Sequence, residues 1–130
     1  VKLLIDTQVF VWLTEEDKRL GTNALEKITD VSNTVHISYF SFFEMAIKAS
    51  IGKMKYDNSI MEDLSIMGLE LIIPDRLVLG RYKIYNSDNK DPFDNALISV
   101  SIGEKCTFVT SDSKILTITE PGLLLLDAKH

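Results

Sequence analysis

Four acidic residues, Asp6, Glu44, Asp94 and Asp112, stand where a carboxylate has reasons to be present beyond solubility. Asp6 ends the apolar run at residues 3–5, and Asp112 closely follows another at 107–110. In open parallel sheets, sites form outside the carboxyl ends of the strands. If these two strands are sheet neighbours across the point where strand order reverses, the two acids face each other across a crevice. Glu44 falls on the same helical face as Phe40, Ile47 and Ile51. An ionised carboxylate among apolar side chains needs a compensating partner, and the simplest one is Lys48 at i+4, an exposed pair contributing about 0.2–0.5 kcal/mol. Asp91-Pro92-Phe93-Asp94 reads as a helix start, with Asp91 as N-cap, Pro92 in the first position and Asp94 in the first turn. Small Ala96 and Ser99 let that helix lie close to a sheet and carry Asp94 to the strand ends. Each acid taken alone has an ordinary explanation: a turn after a strand for Asp6, an ion pair for Glu44, caps for Asp91 and Asp112. Brought together, the four would repel one another without a cation. Oxygen donors with no His or Cys cluster point to Mg²⁺ or Mn²⁺ in preference to zinc.

The elements that must position these acids alternate along the chain. Short apolar runs at residues 3–5, 34–38, 69–73, 107–110 and 123–126 read as buried strands. Helical periodicity occupies 23–30, 40–51, 59–67, 76–85 and 92–104. The alternation implies right-handed crossovers and a mainly parallel central sheet covered by helices on both faces, a three-layer α/β/α fold. The polar stretch 86–90 reads as an ordinary loop leading into the helix at Pro92.

At 130 residues with 45% apolar content, the chain has the size and core of one domain, residues 1–130. No run approaches the roughly 20 apolar residues of a membrane span, and Asp6 interrupts the N-terminal apolar run too early for a signal peptide. A soluble, cytoplasmic protein is expected, and the single Cys106, placed in a buried strand, fits a reducing compartment. The net charge of −5 argues against a general electrostatic nucleic-acid binder. It does not exclude a local one, because carboxylates awaiting a cation add to the negative sum. His36 and His130 are unconvincing ligands. Trp12, Tyr39, Phe40, Phe42 and Phe43 read first as core, and second as a groove for a partner peptide. Lys48, Lys53 and Lys55 read either as a solvated surface or as the flank of an RNA path.

The pieces Leu3-Leu4-Ile5-Asp6-Thr7, Ser41-Phe42-Phe43-Glu44-Met45-Ala46-Ile47-Lys48 with Gly52-Lys53, Asp91-Pro92-Phe93-Asp94 with Leu97-Ile98, and Val109-Thr110-Ser111-Asp112 resemble, in order, the motifs of PIN domains. The resemblance spans nearly the whole chain and is strongest to the VapC-type toxins of toxin–antitoxin pairs. It implies a metal-dependent endoribonuclease in which Asp6, Glu44, Asp94 and Asp112 form the site, Asp91 is a further acid and Thr110 a supporting hydroxyl. It also implies products with a 5′-phosphate, a homodimer that aligns two clefts, and an antitoxin whose peptide blocks them. Gln8, Asn89 and Asn95 depart from the pattern, which often has His, His and Arg there. Two rivals stand beside this reading: an inactive binding protein on the same fold, and a receiver-like phosphoryl-accepting domain, which would want an accepting acid after the third strand, where Asp75 stands.

Overall fold

The computed structural model describes residues 1–84 and 91–130, so Tyr85, Asn89 and the loop expected at 86–90 lie outside the described residues. Five strands, β1 (Lys2–Ile5), β2 (Thr34–Ser38), β3 (Leu69–Ile72), β4 (Thr107–Thr110) and β5 (Leu124–Asp127), form one sheet. Every pairing is parallel, in the order β3-β2-β1-β4-β5. The first three strands step outward from the centre; the chain then returns to lay β4 against the other side of β1, with Ile5 opposite Val109. The reversal of strand order therefore falls between β1 and β4, and the carboxyl ends of these two neighbours carry Asp6 and, two residues beyond β4, Asp112.

Leu3, Leu4 and Ile5 are all buried because successive strand side chains point to opposite faces and both faces of the sheet are covered. Leu3 and Ile5 join Val35, Ile37 and Val109 in one core with residues of α1 (Thr7–Glu15), α2 (Thr22–Thr29) and α3 (Tyr39–Ser50). Leu4 and Phe108 face the other core, built with Val78 of α4 (Arg76–Ile84) and Leu97, Ile98 and Val100 of α5 (Pro92–Gly103). Helix α3 serves both: Phe42 and Met45 pack into the first core, and Phe40 packs against the second. It starts directly from β2, with Ser38 accepting the Phe40 N–H at 3.1 Å, so its first turns are held at the carboxyl ends of the strands. Ala96 and Ser99 of α5 are buried, the close approach that small residues permit.

Three local expectations are corrected. Residues 7–15 form α1, which the periodicity of Val9, Phe10 and Trp12 and a capping acid at position 6 both signal. Residues 59–67 are not an α-helix but a 3₁₀ turn over Asn58–Asp63 followed by further turns. Asp57 caps one end and Gly68, at φ +75°, swings the chain into β3, so the segment closes on short i→i+3 bonds such as Gly68 N–H to Ser65 O. Finally, Ile47 and Ile51 do not share a buried face with Glu44, being 41% and 61% exposed.

Candidate active site

Asp6 is fixed from two elements at once. It is the N-cap of α1, with Oδ1 accepting the Val9 N–H at 2.8 Å, which satisfies one of the helix's unpaired amides. Its other oxygen, Oδ2, accepts the Thr110 hydroxyl at 2.5 Å from the end of the neighbouring strand β4. The same Thr110 oxygen accepts the Asp112 N–H at 3.1 Å, tying the loop after β4 to the acid after β1. Asp6 is buried, and burial raises its pKa above the ordinary carboxylate value. The hydrogen bonds from Thr110, Val9 and Ser111 oppose that rise, and the charge of Glu44 adds the smallest contribution. For Asp6, the charge of a neighbouring acid is thus a lesser cause than desolvation.

Glu44 has both carboxylate oxygens engaged. Oε1 accepts the Thr7 hydroxyl at 2.8 Å, and Oε2 lies 3.0 Å from the Lys48 ammonium. The ion pair foreseen at i+4 is present, but on a carboxylate that is 15% exposed and faces the site. Thr7 and Ser41, with their hydroxyl oxygens 3.0 Å apart, are the supporting residues that sequence reasoning missed. The signal for Thr7 lay in its place directly after the strand-end acid; Ser41, three residues before Glu44, lies one turn away on its helix.

Asp91 caps α5 as expected, accepting the N–H groups of Phe93 at 2.9 Å and Asp94 at 3.2 Å, with Pro92 in the first turn. Asp94 is half-buried in that turn. Asp112 accepts the Lys114 N–H at 2.8 Å within a turn; the 3₁₀ helix that follows, Ile115–Thr117, has Lys114 as its N-cap, so the expected helix cap is a turn bond instead. Asp6, Glu44, Asp91, Asp94 and Asp112 nevertheless line one cavity of about 740 Å³, together with Gln8, Lys48, Lys53 and Lys55. Capping and site placement are compatible, because helix starts and strand ends meet on the same edge of this sheet.

The all-oxygen donor set lining the cavity suits a hard divalent cation. The set is open, however: among the described residues no three acidic, His or Cys side chains stand close enough to hold an ion together. The acids share a cavity without yet sharing a coordination sphere.

Other candidates separate from the cavity. Asp75 follows β3, an edge strand, and caps α4 through the Leu77 N–H at 2.9 Å; it does not line the cavity, which removes the receiver-like reading. His36 is buried on β2 between the Leu3 carbonyl and Glu70, each at 3.2 Å. Among the aromatics, Trp12 and Phe42 are core, whereas Tyr39 and Phe43 are exposed and flank a groove of about 450 Å³ with Tyr56 and Met61.

A three-layer α/β/α fold with carboxylates gathered where strand order reverses defines a class of acid-site α/β domains. The PIN domain model matches residues 3–120, and the chain belongs to the PIN domain family. Its members are generally nucleases that use divalent metal ions. Among solved structures, the fold is similar to that of a chain in VapBC2 from Rickettsia felis bound to a DNA fragment from their promoter, at 24% identity and TM-score 0.69 over 98% of each chain. A chain of VapBC-1 from nontypeable Haemophilus influenzae matches at 14% identity and TM-score 0.72 over 100% of each. A toxin–antitoxin complex from Klebsiella pneumoniae matches at 14% identity and TM-score 0.64 over 94% of this chain and 95% of that one. Comparison with curated proteins finds no match. Among the described residues no helix is long and apolar enough to cross a membrane.

Proposed function

We propose that the chain is a single-domain, metal-dependent endoribonuclease, the VapC-type toxin of a toxin–antitoxin pair, working in the cytoplasm. The observation that carries this reading is the gathering of Asp6, Glu44, Asp94 and Asp112 around one cavity at the carboxyl ends of β1 and β4. These four residues would hold Mg²⁺ or Mn²⁺, which would supply Lewis-acid activation of water and neutralisation of charge on the scissile phosphodiester. The chain's own contribution is placement. Thr110 and the first turn of α1 aim Asp6, Thr7 and Lys48 aim Glu44, and Asp91 fixes the turn of α5 that presents Asp94. No side-chain nucleophile is required.

The partners follow from the same reading. One solved structure with this fold is a toxin–antitoxin complex and two others are of VapBC pairs, and an antitoxin that lays an apolar segment into the groove beside Tyr39 and Phe43 would restrain the nuclease. A homodimer is supported by the exposed apolar residues Phe43 and Ile47, one turn apart on α3, continued by Ile51 at its C-terminal end. The deciding experiment is incubation of purified protein with total cellular RNA, with added Mg²⁺ or Mn²⁺ and with chelator. Metal-dependent cleavage is expected for the parent and not for Asp94→Asn, and expression of the parent alone slows growth while the variant does not. Intact RNA with both proteins, at equal soluble levels, would leave an inactive binding protein on the PIN fold.

A further inference from the structure

Among the described residues, the three lysines that line the cavity come from one stretch of chain, and they are not equivalent. Lys48 is paired with Glu44. Lys53 and Lys55 have no ion-pair partner among the described residues. Their position is nevertheless built. Helix α3 ends in a turn in which the Gly52 N–H reaches Ala49 O at 3.1 Å and the Lys53 N–H reaches Lys48 O at 2.8 Å. That closure requires a left-handed residue before Lys53, and Gly52 supplies it at φ +74°. Beyond the turn, exposure alternates. Met54 and Tyr56 pack against the first core, Tyr56 lying 6.5 Å from Phe42 between ring centroids, while Lys53 and Lys55 stay exposed. The two apolar anchors hold the strap down against the core, and Lys53, Met54 and Lys55 line the cavity. Lysines that only solvate a surface need no such anchoring.

From this arrangement we infer that Lys53 and Lys55 are positioning residues for the RNA strand: they hold backbone phosphates next to the one being cut, so that the chain enters the acidic cavity along the Lys53–Lys55 strap. The inference rests on the nuclease reading above. It also reconciles a net charge of −5 with a nucleic-acid substrate, since among the described residues this strap supplies cavity-lining lysines that no acid pairs with. Ammonium groups act on phosphate as point charges and carry no base readout, so the contribution is to affinity and register, with little sequence preference.

The test is fluorescence anisotropy of a labelled single-stranded RNA with the non-cleaving Asp94→Asn protein, alone and combined with Lys53→Ala and Lys55→Ala, over a salt series. Removing each lysine is expected to reduce the slope of log affinity against log salt by about 0.7, the single-strand value per phosphate neutralised. Lys→Arg at the same positions restores it. In the otherwise unaltered enzyme, Lys53→Ala/Lys55→Ala raises KM with little change in kcat, and the thermal shift produced by Mn²⁺ is unchanged. An unchanged salt slope in the double variant, with the Asp94→Asn parent still binding RNA, overturns this inference alone. So does a change in the Mn²⁺ shift without a change in RNA affinity, since the lysines would then only offset the acids. A parent that binds no single-stranded RNA under any of these conditions overturns the inference and the nuclease reading together.

Discussion

Thr110 and Asp6, 104 residues apart in sequence, share a buried hydrogen bond that joins the ends of two neighbouring parallel strands. Thr110 Oγ1 also accepts the Asp112 N–H, so one hydroxyl sets the relative position of two site acids. Thr110→Val keeps the shape, removes the donor to a buried carboxylate, and strands the Asp112 amide. A stability loss of about 1–3 kcal/mol is expected, together with a larger loss of nuclease activity than Thr110→Ser causes. Urea melts and cleavage assays of the two variants side by side test it; equal behaviour would mean that the hydroxyl is dispensable.

The raised pKa of Asp6 has a sign that stability measurements can read. Its ordinary value is 3.8 and its folded value lies higher, so between the two the native state binds more protons than the unfolded chain. Stability therefore falls as pH rises through that window, and the cost persists above it. Asp30 and Asp57, whose pKa values are lowered by hydrogen bonds to Ser32 and Ser59, contribute slopes of the opposite sign in the acid range. The difference between parent and Asp6→Asn isolates the Asp6 part. In chelator, Asp6→Asn should gain stability relative to the parent as pH rises from about 4, and parallel pH profiles for the two would contradict this.

Metal should reverse that cost. A cation held by Asp6, Glu44, Asp94 and Asp112 binds the native chain and not the unfolded one, so saturation at a hundredfold over Kd stabilises by about 2.7 kcal/mol. A rise in Tm with millimolar Mn²⁺ or Mg²⁺ is expected for the parent. For Asp6→Asn and Asp94→Asn the rise should be smaller or absent, and shifts of equal size in all three proteins would place the binding elsewhere.

The apolar stripe on α3 makes a fourth prediction. Phe43, on the helix that also carries Glu44, is 55% exposed, and Ile51, the residue that ends that helix, is 61% exposed. Ile47→Glu, in the middle of the stripe, should shift the protein from dimer toward monomer in sedimentation while leaving its melting temperature at high dilution nearly unchanged. If the parent already sediments as a monomer at high concentration, the stripe serves another purpose.

What the sequence determined by itself was set by residues within a turn or two of one another. Strands were legible as short apolar runs, α2 to α5 as 3.6-residue periodicity, Asp91 as a cap before Pro92, and the Glu44–Lys48 pair from its i+4 spacing. The ordered motifs added the family, because they repeat a pattern of acids that no local rule requires. Helix α1 was also written there, in Asp6 as N-cap and the spacing of Val9, Phe10 and Trp12, but the strand-end acid masked it as a turn. The tertiary structure alone decided the rest. Local signals do not say which strand lies beside β1. The return of β4 to that position follows from burying Leu4 and Phe108 in one core and Leu3, Ile5 and Val109 in the other. Only that pairing makes Thr110 a donor to Asp6, and only the packing of α1 against α3 makes Thr7 a donor to Glu44. Such contacts between remote residues are fixed by how whole faces pack, a property of the assembled sheet and helices that no short window of sequence contains.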